Sequence, residues 1–136
     1  MKNIAIENIK VGDAAEITKL MSFDLVSNFA KISEDFNPIH MDPEFALRSR
    51  YKRQIVHGLI ATSLFSGLFG SQLPGVGCVY KSQNIRFRRP IYLDDCVLAR
   101  IEVVKVESVK RTVSFSTRCI VDGKLVVDGE AEIFIP

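Results

Sequence analysis

Only two histidines occur among the 136 residues, His40 and His57, so each is readily weighed for chemistry. His40 follows Asp35 by five positions in the run Asp35-Phe36-Asn37-Pro38-Ile39-His40. A regular helix aligns side chains three or four residues apart, not five. Across a turn the two can converge, and Asn37-Pro38 supplies the break. A carboxylate beside an imidazole fixes its tautomer and raises its basicity. Held around one water, such a pair acts as general acid and base. Spacing alone is a weak signal, because a capping Asp and an incidental loop His give the same pattern.

The second histidine precedes Gly58, which opens a long uncharged run. The first N–H groups of a helix are unpaired and carry partial positive charge. A glycine there lets a ligand approach its amide, so Gly58 is a candidate oxyanion donor. His57 could instead cap this turn or fill space. Ser63 and Ser66 fall inside the same run, where a serine usually bonds its own backbone. Ser66 could alternatively bond a carboxylate or a water. Arg86, Arg88 and Arg89, with Lys52 and Arg53, form basic clusters. A solvated face is their default reading, and a phosphate-bearing arm is the functional one. No glycine-rich phosphate loop occurs and no metal site is expected.

The elements that must position these residues follow from pattern. Ala14–Met21 reads as a strand. Ser22 is a helix cap, with Asp24 in the first turn and apolar residues at helical spacing to Ser33. Asp42-Pro43 opens a short helix to about Arg50. Gly58–Leu73 has no charged residue, so it should be a helix buried on nearly all sides, ended by Pro74-Gly75. Strands are expected near Val76–Arg89, Asp95–Val106, Arg111–Val121 and Leu125–Ile135. In the third of these, Val113, Phe115, Thr117, Cys119 and Val121 share one face. In the fourth, Leu125, Val127, Gly129, Ala131 and Ile133 oppose Val126, Asp128, Glu130 and Glu132. That period of two implies an antiparallel sheet with one wet side. Asp122-Gly123 is a hairpin signal. The fold class is therefore α+β, a single domain over 1–136: an antiparallel sheet curled around one helix.

Composition narrows the function classes. Hydrophobic residues make up 47% and charged residues 25%, and the formal net charge is +2. These values suit a globular chain and give no reason to expect nucleic acid. The three cysteines, Cys78, Cys96 and Cys119, lack zinc-ligand spacing and read as free buried thiols in a reducing compartment. Met1–Glu7 has no apolar core of signal-peptide length, and no run approaches the ~20 apolar residues of a membrane span. A soluble, cytoplasmic protein is expected.

Three segments together resemble the (R)-specific enoyl-CoA hydratases of the MaoC-like hot-dog family. The first is Asp35 to His40, continuing through Met41-Asp42-Pro43. The second is Ile55-Val56-His57-Gly58, then Ser63-Leu64-Phe65-Ser66-Gly67-Leu68. The third is Leu73-Pro74-Gly75, leading to Phe87-Arg88-Arg89-Pro90. The resemblance spans roughly residues 10 to 136. It implies a hot-dog fold, with Asp35 and His40 as the catalytic pair. It also implies Gly58 N–H as donor to a thioester carbonyl, Ser66 as support for the carboxylate, and His57 in a positioning role. Asn37, inside the motif, joins the candidate substrate-binding residues. Gln54 stands where many relatives have proline, which should loosen the approach to the central helix. Phe69, one turn beyond Ser66, is a candidate wall of the acyl pocket favouring short chains.

The implied reaction is reversible syn hydration of a trans-2-enoyl-CoA, with the CoA thioester as substrate and no further cofactor. The implied assembly is a homodimer. The nearest rival is dehydration of a 3-hydroxyacyl group on acyl carrier protein, for which the same dyad would serve. A non-catalytic acyl-thioester-binding subunit is a rival of another class, and a thioesterase is a third.

Overall fold

The computed structural model describes residues 1–136. After a single 3-10 turn at Ile6–Asn8, the chain forms β1 (Ala14–Leu20), α1 (Phe23–Ser33), α2 (Pro38–Met41), α3 (Pro43–Arg48) and α4 (Gly58–Ser71). Four long strands follow: β2 (Val79–Phe87), β3 (Cys96–Glu107), β4 (Thr112–Val121) and β5 (Lys124–Phe134). The expected strands and helices are all present, with ends displaced by at most three residues. The short α2 was not expected, because its four residues are too few to show a period.

All five strands pair antiparallel in the order β1-β3-β4-β5-β2. Asp122 (φ 49°) and Gly123 (φ 74°) make the hairpin turn between β4 and β5, both left-handed as a two-residue turn of this hand requires. Phe65, Leu68 and Phe69 of α4 pack with Val97, Ile101, Phe115 and Ile133 of the sheet in one buried cluster. The sheet thus wraps the helix, which is the hot-dog arrangement.

Three expectations are corrected. Helix α4 is not covered on every side: Leu59, Ser63, Ser66, Gly67 and Gly70 form one exposed stripe. Val126, assigned to the charged face of its strand, is buried beside Val127. The ladder is irregular between Cys119 and Ile120, and the N–H groups of Arg88 and Arg89 both donate to the Val126 carbonyl, folding the chain over it. Among the cysteines, only Cys119 is buried, with burial pushing its thiol up to about 12, while Cys96 is exposed.

Candidate active site

The segment after α1 is shaped by a chain of short local bonds. Glu34 takes a left-handed conformation and stops the helix. Ser33 Oγ accepts the Asp35 N–H at 3.2 Å, Asp35 Oδ1 accepts the Asn37 N–H at 3.1 Å, and Asn37 Oδ1 accepts the Ile39 N–H at 3.2 Å. Asn37 therefore caps α2 and lines neither of the two cavities at the site. The cap turns His40, in the last turn of α2, back towards Asp35.

Both histidines are then fixed from the stretch preceding α4. His40 Nδ1–H donates to the Ile55 carbonyl at 2.7 Å, which leaves Nε2 with the free lone pair. That Nε2 lies 3.9 Å from Asp35 Oδ2. His57 Nε2–H donates to the Asp35 backbone carbonyl at 2.9 Å and lies 3.8 Å from Oδ2. The two imidazoles stack with centroids 3.9 Å apart and planes at 27°, and Phe29 closes the far side of His57 at 4.8 Å. His57 Nδ1 is buried without a partner. Gln54 does the opposite of loosening this region: its Nε2–H donates to the His40 carbonyl at 2.7 Å.

Exposure divides the roles. The Asp35 side chain is 46% exposed, whereas those of His40 and His57 are 11% and 3% exposed. Burial holds His40 below the ordinary imidazole pKa; the bond to Ile55 opposes this, His57 adds to it, and Asp35 opposes it weakly. His40 is therefore a neutral base near pH 7.

Gly58 opens α4, so its N–H has no acceptor within the helix. A Cβ at this position would stand 2.5 Å from the Phe87 ring, so any larger residue would require that exposed side chain to move aside. Two cavities meet here. One, of about 350 Å³, is lined by His40, Tyr51, Gly58, Phe87, Arg88 and Arg89 among others. The other, of about 220 Å³, is lined by Asp35, His40, His57, Gly58, Phe29 and Phe87 among others. A larger open depression of about 760 Å³ lies on the sheet around Arg86, Arg118, Asp128 and Glu130, and no imidazole faces it. The residues singled out in the sequence as a dyad and its oxyanion donor line the smaller pair.

The structure thus unites Asp35, His40, His57 and Gly58. Ser66 lies eight residues into α4, about 12 Å along the axis from Gly58, exposed and without a bond to Asp35 in the same chain. Phe69 is buried edge-on to Phe115 and Tyr80 and lines neither cavity at the dyad. Phe29, Gln54, Ile55 and Phe87 were missed as site residues.

Residues 9–124 match the model of the MaoC like domain. The chain belongs to the MaoC-like domain family. It is 40% identical over 134 residues to the (R)-specific enoyl-CoA hydratase of Aeromonas caviae, covering 98% of this chain and 100% of that one. A solved (R)-hydratase from A. caviae superposes with a TM-score of 0.93 at 41% identity, over 96% of this chain and 99% of that one. The mitochondrial 3-hydroxyacyl-[acyl-carrier-protein] dehydratase of Arabidopsis thaliana is also similar, 34% identical over 132 residues, 94% of this chain and 78% of that one.

Asp35, His40 and His57 bring three potential ligand atoms within 4.8 Å of one another. In this MaoC-like domain, however, His57 Nε2 faces the Asp35 carbonyl, which only an N–H can bond, so in that tautomer the atom offers no lone pair to a cation. No helix is long and apolar enough to cross a membrane.

Proposed function

We propose that the protein is an (R)-specific enoyl-CoA hydratase, a hydro-lyase that reversibly adds water across a trans-2-enoyl-CoA to give the (R)-3-hydroxyacyl-CoA. One observation carries the reading: His40 Nε2, the ring nitrogen not engaged by Ile55, stands 3.9 Å from Asp35 Oδ2, beside the free N–H at the start of α4. That separation is too long for a direct hydrogen bond and suits one water held by both groups. The water gives a proton to the dyad as its oxygen attacks C3. Charge moves to the thioester oxygen, where Gly58 N–H stabilises it. The dyad returns a proton to C2, so the elements of water are added across the double bond, and dehydration is the reverse. His57 holds the Asp35 backbone in place and needs no proton transfer of its own.

The working unit is a homodimer in this reading. Both β1 and β2 are sheet edges, and the exposed α4 stripe has no charge to keep it in water. In such a dimer, Ser66 would reach a catalytic carboxylate only from across the interface. The acyl chain is short in this reading. The similarity to a named carrier-protein dehydratase keeps one rival open, and its substrate would be an acyl carrier protein thioester.

The test follows loss of crotonyl-CoA absorbance, with the handedness of the product assigned by a stereospecific dehydrogenase. Asp35→Asn and His40→Gln should each lower kcat by about 10²–10⁴-fold, the usual contribution of general acid–base catalysis. A wild-type enzyme inactive on CoA substrates of every length, or one releasing free thiol, would refute the reading.

A further inference from the structure

We propose that Arg53, Arg89 and Lys124 form a subsite for the phosphate-bearing end of coenzyme A. The proposal rests on the hydratase reading for its thioester but stands on separate residues. A cavity of about 310 Å³, lined by these three cations with Pro90, Tyr92 and Val126 among others, lies next to the His40–Gly58 cavity. The two share Arg89 and Pro90, so they adjoin at that stretch of chain.

The three cations are free for a ligand. None takes part in an ion pair. Arg53 is already oriented, its Cζ 3.7 Å over the Tyr92 ring, and a stacked guanidinium keeps its N–H edge for phosphate. The strand-like bridge Ile55–Tyr92 and the Leu93 N–H bond to the Gln54 carbonyl fix the backbone on both sides of this stack. Two carboxylates also line the cavity. Asp95 accepts the Tyr92 N–H at 2.8 Å, and Asp122 belongs to the hairpin turn. Three cations against two carboxylates leave a positive balance.

The neighbouring arginines are excluded by the same geometry. Arg88 donates to Asp128 through Nε at 2.8 Å and a second nitrogen at 3.3 Å. Arg86 lines the sheet depression next to that carboxylate, away from the dyad. The sequence cluster Arg86-Phe87-Arg88-Arg89 therefore splits: Arg88 borders the His40–Gly58 cavity but is tied to Asp128, and of the three arginines only Arg89 lines both that cavity and the proposed subsite.

The assay compares crotonyl-CoA with crotonyl-pantetheine, which keeps the thioester and lacks every phosphate. For the double variant Arg53→Ala/Lys124→Ala, the ratio of kcat/KM on the two substrates should fall about a hundredfold, roughly tenfold for each charge-assisted hydrogen bond to phosphate that the variant cannot make. The loss should lie in KM, and the wild-type KM for crotonyl-CoA alone should rise with salt. Calorimetric titration of CoA itself gives a readout independent of turnover, and its affinity should fall in parallel in the folded variant. An unchanged ratio and CoA affinity would overturn the subsite, as would faster wild-type turnover of crotonyl-acyl carrier protein than of crotonyl-CoA. If the wild type binds CoA through these residues yet hydrates neither substrate, the hydratase reading fails and the subsite stands.

Discussion

Replacing His57 by phenylalanine separates what this residue does for stability from what it does for catalysis. The wild-type ring makes one hydrogen bond, Nε2–H to the Asp35 carbonyl at 2.9 Å, and leaves Nδ1 buried without a partner. A neutral hydrogen bond contributes about 1 kcal/mol net, whereas a buried unpaired polar atom costs about 1–3 kcal/mol. Phenylalanine keeps the aromatic contact with His40 and Phe29, gives up the bond and removes the unpaired nitrogen. The balance is neutral or favourable by up to roughly 2 kcal/mol, which for a chain of this size is an unchanged or raised Tm, by ~4 °C per kcal/mol. Catalysis should move the other way. Asp35 loses the tie that sets its backbone, and kcat on crotonyl-CoA should drop about tenfold as the carboxylate drifts from the water. His57→Gln, which can still donate to the Asp35 carbonyl, should recover part of that loss. The measurements are a thermal melt and initial rates on all three proteins. A kcat within twofold of wild type in a folded His57→Phe protein, or a Tm lowered by more than about 5 °C, would refute the argument.

Other expectations concern the same cradle. Because burial lowers the His40 pKa, the acid limb of kcat/KM should lie below the ordinary imidazole value near 6.5, and activity should persist as pH falls to that value. The sign for stability is opposite to that of a salt-bridged histidine. The unfolded chain takes up the proton first, so stability falls as pH drops below about 6.5, until the folded-state pKa is passed; denaturant melts from pH 7.5 to 5.5 test it. Phe69→Ala would open a hole in the core at a cost of ~3–5 kcal/mol, so Phe69→Leu is the better probe. Because Phe69 lines neither cavity at the dyad, this substitution should leave kcat/KM for six- and eight-carbon enoyl-CoAs relative to crotonyl-CoA unchanged, and a gain would place Phe69 in the acyl wall. Gln54→Ala removes the bond to the His40 carbonyl and should lower Tm by about 4 °C, near 1 kcal/mol.

Much of this architecture is legible in the residues themselves, for reasons that differ from part to part. Helix α4 announces itself because no charged residue interrupts it, and Asp122-Gly123 announces its turn because both positions take positive φ. Asp35 and His40 are legible only through the run of residues around them; five-residue spacing says little alone. The partners that orient the site are hidden. His40 is held by a carbonyl of Ile55 and His57 by a carbonyl of Asp35, and a backbone oxygen leaves no mark on side-chain pattern. The exposed stripe of α4 escapes notice because hydropathy cannot distinguish a face covered by the chain's own sheet from one left open. Val126 is misassigned by strict alternation because a ladder irregularity breaks it.

The ties that build the cradle are also unusually near one another along the chain. Gln54 to His40, His40 to Ile55 and His57 to Asp35 span 14, 15 and 22 residues, whereas the Glu16–Arg100 ion pair between β1 and β3 spans 84. On loop-closure grounds the longest of the three is cheaper to close than that pairing by roughly 1 kcal/mol. The proposed base, acid and oxyanion donor, with these three bonds, all lie within residues 35–58. They would travel through recombination as one inherited piece. Substitutions elsewhere in the sheet can then accumulate without separating the proposed base from its carboxylate, and the apparatus can be lent to any barrel able to seat the helix that follows it.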